Sequence, residues 1–444
     1  MTKRQLFALL ATIIGSGIVI VDGTVVNLAL PSIAHNLHAN FADLQWIIDG
    51  YLLSLSALIL LGGSLGDIFG RKRIYLLGLA GFGISSLLCG LAPNLRALIV
   101  LRVVQGTFGA LLVPGALSII NTNFPKAIRG LAFGRWTAWS GILTVLGPLL
   151  GGYLIEVASW RWIFFINVPL VVICYIFAFK NVDESRDRAG RHIDYTGALL
   201  AALALAGVTY GLIEGPATHW SVKTLLTLVG AGLIGGIFLY VERRERDPML
   251  RLELFRNRNF SGVNATTFAM YGGLSGFIFA ILIYLQQGLH YSSLKAGFSL
   301  LPISLIMLFL ASRMGALSAK YGSRLFMTFG PLISAIGIFY LVRLHPGDSY
   351  IFGVFPGVFI FALGLATTVA PLTVTVMSSV PEASSGLASG INNAVTRVAG
   401  LIVIAVLGIF GAGQAYRFTI LLCGTLLALA GILSYLVIRN PSKA

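Results

Sequence analysis

Asp22, Asp49, Arg102 and Arg397 each stand inside a long apolar stretch of the chain. On insertion scales an ionisable side chain at that depth of a membrane costs about 2.5–3.5 kcal/mol, so each needs an opposite charge, water or a proton. A carboxyl beside a guanidinium stays ionised more easily, while burial favours its neutral form; the balance shifts as water gains or loses access. That is the chemistry of a proton-coupled switch. Arg102, Gln105, Gly106 and Gly109 are spaced i, i+3, i+4 and i+7 and share one helix face. Asp49 opens a stripe that continues through Ser56 to Gly63, one face able to line a cavity. Counted from the predicted outer helix ends at about 1.5 Å per residue, Arg102 and Asp49 lie roughly 9 Å deep and Asp22 roughly 12 Å. The expectation is that Asp22, Asp49 and Arg102 converge at one level and couple to protons. The alternative is a static buried ion pair that fixes helix packing.

The elements that must hold these groups are membrane helices. Of 444 residues 57% are hydrophobic and only 11% charged, where soluble proteins average about 25% charged. Apolar blocks near 6–30, 43–66, 74–92, 96–121, 131–157, 162–180, 194–213, 223–241, 260–287, 296–318, 324–343, 350–377, 386–411 and 415–438 are each long enough to cross a hydrocarbon core of about 30 Å. These make an all-α polytopic membrane protein with 14 transmembrane helices. Placing the amino terminus inside puts 23 of the 31 Lys and Arg in cytoplasmic segments, six outside and two, Arg102 and Arg397, within the membrane. Both termini are then cytoplasmic, and the net charge of +15 is a topological signal, not a nucleic-acid surface.

The segment Gly63-Ser-Leu-Gly-Asp67-Ile-Phe-Gly70-Arg71 reappears weakly as Gly315-Ala-Leu-Ser-Ala319-Lys-Tyr-Gly322-Ser323. This predicts two six-helix halves as parallel repeats, residues 1–180 and 260–444, with 181–259 supplying linkers and two inserted helices.

Further motifs fall in order along the chain. They are Val21-Asp22-Gly-Thr-Val-Val-Asn27-Leu-Ala-Leu-Pro31, Gln45-Trp46-Ile-Ile-Asp49-Gly-Tyr51-Leu, Arg102-Val-Val-Gln105-Gly106, Gly147-Pro148-Leu-Leu-Gly151-Gly152 and Trp160-Arg-Trp-Ile-Phe-Phe-Ile-Asn167-Val-Pro169. The second half adds Tyr284-Leu-Gln286, Ala296-Gly297 and Ser389-Gly-Ile-Asn392-Asn393-Ala-Val-Thr-Arg397. In content and order the chain resembles the major facilitator superfamily, and within it the fourteen-span drug/proton antiporters. The resemblance implies a major facilitator fold and a gating role for the loop of Gly63, Asp67, Gly70 and Arg71. It favours Asp49 as a proton or cation site, and it gives Gly147, Pro148, Gly151 and Gly152 the antiporter signature. One departure stands in that signature: the family carries a further Gly where this chain has Leu143.

Asp67 can pair with a neighbouring cation or with the positive end of a helix, contacts that would break when the halves rock; the alternative is a plain positive-inside anchor. Trp136, Ser140, Thr144, Gly147 and Gly151 form one small or polar stripe, and Pro148 can kink its helix. In the second half Asn264, Thr267, Tyr271, Ser275 and Gln286 share a face, as do Ser389, Asn393, Thr396 and Arg397. Lipid cannot satisfy such stripes, so they are expected to line a substrate cavity. Arg397 either attracts an anionic substrate group or bonds to carbonyls and Asn side chains.

Gly62-Gly-Ser64-Leu-Gly66 matches a hydrolase pattern in form only, since that motif needs a strand-to-helix elbow. Cys89, Cys174 and Cys423 read as small core residues. The six histidines show no zinc spacing, so no metal is expected. Trp160, Trp162 and Trp220 read as interfacial anchors. No ATP-binding loop occurs, so no cofactor is implied and an ion gradient must supply the energy. The expected protein is a non-enzymatic, monomeric plasma-membrane transporter. Its partners are a small-molecule substrate, protons and the bilayer, with no nucleic acid. It exports amphipathic organic compounds against protons by alternating access, or alternatively an anionic or zwitterionic metabolite.

Overall fold

The computed structural model describes the chain except residues 187–192, 246, 382–384 and 441–444. The side chains of 126, 127, 130, 137, 138, 140, 141, 144, 145, 385, 386 and 410–415 also lie outside the description. The expectations for Ser140 and Thr144 therefore fall on undescribed side chains.

Every regular element among the described residues is helical. In chain order they are α1 (Lys3–Leu37), α2 (Phe41–Phe69), α3 (Arg71–Gly90), α4 (Leu95–Asn123), α5 (Lys126–Val157), α6 (Trp162–Phe165), α7 (Asn167–Asn181), α8 (Tyr195–Ala217) and α9 (Val222–Arg244). Then follow α10 (Arg258–Gln287), α11 (Ser293–Ser299), α12 (Leu301–Tyr321), α13 (Ser323–Tyr340), α14 (Phe355–Ser378), α15 (Ser385–Leu407) and α16 (Gly411–Val437). Among the described residues 13 helices are long and apolar enough to cross a membrane, counting α6 with α7 and α11 with α12 as single crossings. The remaining long helix, α5, spans 32 residues. Helix starts follow local chemistry: Thr2 and Gln5 form a capping box on α1, as do Asn40 and Asp43 on α2.

The chain divides into two compact units. Unit 1 is Met1–Gly211 with Trp220–Met249; unit 2 is Leu212–His219 with Leu250–Ala444. In unit 1, α1 packs on α5 and α7, α4 on α2 and α3, and α3 on α7. In unit 2, α10 packs on α15 and α16, α14 on α12 and α13, and α13 on α16. The same pairings thus recur in the same order, which gives the weak sequence repeat its structural basis. Glycines permit the closest approaches: a Cβ on Gly106 would fall 2.3 Å from the Tyr51 carbonyl oxygen, and one on Gly62 2.3 Å from that of Ala110.

Two expectations about the flanks need correcting. Trp160 is not an interfacial anchor: it is buried, and its Nε1–H donates to Asn36 Oδ1 at 3.3 Å. Residue 242, just past the apolar block 223–241, is helical and not part of the linker, because α9 runs on to Arg244 and buries Glu242 beside Gly197. Most of α9 presents exposed Val222, Leu226, Val229 and Leu233, the surface that a membrane-embedded helix offers to lipid.

Candidate functional site

Arg102 finds its partner on α1. Its Nη1 donates to Asp22 Oδ2 at 2.6 Å and to Gln105 Oε1 at 2.8 Å. Gln105 Nε2 donates in turn to Asp22 Oδ1 at 3.0 Å, and Asn167 Nδ2 reaches the same oxygen at 3.2 Å. Arg102 Nε donates to the Ile47 carbonyl at 3.2 Å, and the guanidinium lies 4.1 Å from the centre of the Tyr51 ring. Asn167 also bonds Ser86 on α3, so α1, α2, α3, α4 and α7 all contribute. Asp22 is 2% and Arg102 0% exposed. The i,i+3 spacing of Arg102 and Gln105 is what lets both reach one carboxylate. A pair this dry persists because the carboxylate has three donors and a full counter-charge; removing one partner of such a pair typically costs about 3–5 kcal/mol.

Asp49 stands apart from that network. Arg102 lies against the side chain of Tyr51, two residues after it, and side chains two apart on a helix diverge by about 200°. Asp49 therefore points away from Arg102. It is 0% exposed, and neither carboxyl oxygen has a hydrogen-bond partner among the described residues. Ser56, farther along the same stripe, also buries a hydroxyl oxygen without a partner. The structure thus joins Asp22 to Arg102 and Gln105 and leaves Asp49 separate from them.

The Gly147–Gly152 segment presses on the turn of α1 that bears Asp22. A Cβ on Gly147 would meet Thr24 Oγ1 at 3.2 Å, and one on Gly151 would meet Val25 Cγ1 at 2.3 Å. Trp136 Nε1, nearer the start of α5, donates to Ser16 Oγ of α1 at 3.2 Å. Leu143 fits for a specific reason: it lies against Gly17, where a Cβ would come within 2.2 Å of Leu143 Cδ1.

At the α2–α3 corner, Asp67 pairs with Arg71 one turn on, Oδ1 to Nη2 at 2.7 Å. Gly70, at φ +114°, makes the turn between the helices, a conformation that L side chains rarely adopt. The carboxylate of Glu184 fills the space over Gly70 and accepts from the N–H groups of Lys72 and Arg73 at 3.1 and 3.2 Å. Unit 2 repeats the device with a neutral group: Gly322 has φ +92° and Asn440 Oδ1 accepts from the Arg324 N–H at 3.1 Å.

In unit 2 the polar stripes of α10 and α15 face each other. Asn392 Nδ2 donates to Asn264 Oδ1 at 3.1 Å and Thr267 Oγ1 at 2.8 Å. Asn393 Nδ2 bonds the Ser389 carbonyl, and Gln286 bonds the Leu282 carbonyl and Ser293. Asn264 is thereby committed to an interhelix bond. Arg397 has neither a hydrogen bond nor an ion pair to a described residue, and its Nε is buried without a partner. Among the described residues, no carbonyl or Asn side chain takes up the alternative of satisfying it.

The sequence profile of the Major Facilitator Superfamily matches residues 12–404. The chain belongs to that superfamily. It is 32% identical over 410 residues to the multidrug resistance protein Stp of Mycobacterium tuberculosis, covering 92% of this chain and 76% of that protein. It is 33% identical to the tetracenomycin C resistance and export protein of Streptomyces glaucescens, covering 91% and 76%. Among solved structures, a D-xylose–proton symporter superposes with a TM-score of 0.71 at 15% identity, over 99% of both chains. That identity speaks to the fold alone, and the fold is that of the superfamily.

Four contributors were not singled out from the sequence. Asn167 stands in a quoted motif but is uncharged, so no cost argument singled it out. Tyr51 lies one helical turn from Ile47, a spacing that would have placed both against Arg102. Glu184 and Asn440 each follow the last helix of a six-helix set by three residues, α7 ending at Asn181 and α16 at Val437; the repeat itself could have revealed them.

Proposed function

We propose that the protein is a proton-coupled exporter of small amphipathic organic compounds in the plasma membrane, working by alternating access as a monomer. In this reading it has fourteen spans with both termini cytoplasmic, residues 1–180 and 260–444 forming the two six-helix halves and 181–259 the linkers and inserted pair. Relatives named for multidrug resistance and for tetracenomycin C resistance and export support the substrate class. The observation that carries the coupling role is the contrast between two buried acids. Asp22 has three donors, one of them the Arg102 cation, whereas Asp49 has none among the described residues. An ionised carboxyl without a donor is prohibitively costly in an apolar interior, so the enclosure around Asp49 suits a bound proton. Water entering from one side would let that proton leave, and the Asp22–Arg102–Gln105 network beside it would hold α1, α2 and α4 in register through the exchange. Asp67, Gly70 and Arg71 gate the cytoplasmic corner, and Gly147, Pro148, Gly151 and Gly152 set the approach of α5 to α1. Ser56 and Trp136 in unit 1, and Tyr271, Ser275, Gln286, Asn393 and Arg397 in unit 2, contribute to substrate contact.

The test is proton release in everted vesicles, read with a quenched ΔpH dye on adding ethidium. The native protein is expected to dissipate ΔpH, and Asp49→Asn to abolish the response while ethidium still binds. An unchanged response in Asp49→Asn removes that residue from the coupling.

A further inference from the structure

Arg397 lies 12 residues into α15 and 10 from its end, about 18 Å along the helix from its start and therefore near the middle of the span. A guanidinium is always charged and carries five donors. Among the described residues of α10 to α16 no acid stands to balance that charge: beyond Glu253 the sequence carries only Asp348, between α13 and α14, and Glu382, which lies outside the described residues. Arg102 in unit 1 shows what a satisfied membrane Arg looks like in this chain, with four polar or aromatic partners. Arg397 has no hydrogen bond or ion pair to any described residue, and its Nε is buried. The groups around it are equally uncommitted. On the facing helix α10 a Cβ on Gly272 would lie 3.4 Å from the Ala399 carbonyl oxygen of α15, which brings Tyr271 and Arg397 to the same stretch of the seam, and neither Tyr271 nor Ser275, one turn farther along that face, makes a side-chain hydrogen bond to a described residue. The neighbouring rungs between the same helices, Asn392 to Asn264 and Thr267, are by contrast fully bonded. The open donors thus fall within about two turns of the α10–α15 seam.

We propose that Arg397, Tyr271 and Ser275 form an anion-recognition subsite, so that preferred substrates carry a carboxylate or phenolate on an apolar, ring-bearing body. This deepens the exporter reading and rests on it for the passage of the compound, although the subsite is a binding property in its own right. A carboxylate would accept from the guanidinium fork, with the phenol and hydroxyl as further donors. Apolar neighbours raise the worth of those bonds by excluding water.

The experiment measures binding, independently of transport. Purified full-length protein in nanodiscs is titrated with 9-anthroate and with its methyl ester, following probe fluorescence. These two differ by one charge on the same ring system. The acid is expected to bind at least about tenfold more tightly, the worth of one charge-assisted hydrogen bond. Arg397→Gln should bring the affinity for the acid down to that for the ester, and Arg397→Lys should retain part of the preference. Should Arg397→Gln fail to fold, as judged by its elution and melting, Tyr271→Phe with Ser275→Ala should still cut the acid preference several-fold. Equal affinities for acid and ester, no detectable acid binding to the native protein, or an undiminished preference in the folded variants would overturn the proposal. Loss of drug-driven proton movement in vesicles with the acid preference intact would sink the exporter reading and leave the subsite standing.

Discussion

Asp22 and Arg102 were legible as a pair because burying a charge is expensive and few opposite charges were within reach. The arrangement of their neighbours was not legible: side-chain direction depends on which helices a face meets, and neither Asn167 nor Ser86 advertises itself by charge. The same limit applies to Asp49, whose shared depth with Arg102 said nothing about its pointing the other way. Because Asp22 supplies the counter-charge to a fully enclosed guanidinium, Asp22→Ala is expected to destabilise the protein by roughly 3–5 kcal/mol. Asp22→Leu combined with Arg102→Met should recover most of that loss, since replacing a buried ion pair with apolar groups is often neutral or better. Thermal melting in detergent by tryptophan fluorescence measures both. A double variant no more stable than the single one would mean that the pair's contribution is not electrostatic. Transport should return with stability in the double variant, because the pair holds the helices while Asp49 handles the proton; a stable double variant that does not transport would give Asp22 a part in the coupling.

Helix number and order were largely legible, because apolar length is dictated by membrane thickness and the repeat of Gly63–Arg71 announced a duplicated corner. Helix contacts were less so. The departure at Leu143 weakened the antiporter signature when read as sequence, yet the structure shows the larger side chain on α5 lying against a glycine on α1. Gly17→Leu should therefore overpack the seam, at a cost of roughly 1–3 kcal/mol, visible as a lower melting temperature and reduced ethidium efflux. Adding Leu143→Gly is expected to restore much of both, returning the bulk to a single helix. If the second substitution makes matters worse, the two positions do not share the space that the coordinates give them.

On the scale of the whole molecule, the distribution of Lys and Arg predicts which corners face the cytoplasm. Single-cysteine labelling can read this on the native background, because Cys89, Cys174 and Cys423 are all buried. Ser349→Cys, on an exposed turn before α14, should react with a membrane-impermeant maleimide on intact cells. Arg186→Cys, in the segment after α7, should react only once the membrane is opened. The reverse pattern would invert the topology and, with it, the direction of transport.

The fit of Leu143 against Gly17 carries a message for evolution as well. A knob and its notch that have traded sides leave the outline of the joint unchanged, so selection acts on the two codons jointly. Among homologues, a glycine at the place of Leu143 should travel with a bulkier partner at the place of Gly17, and lineages that changed one without the other should be rare.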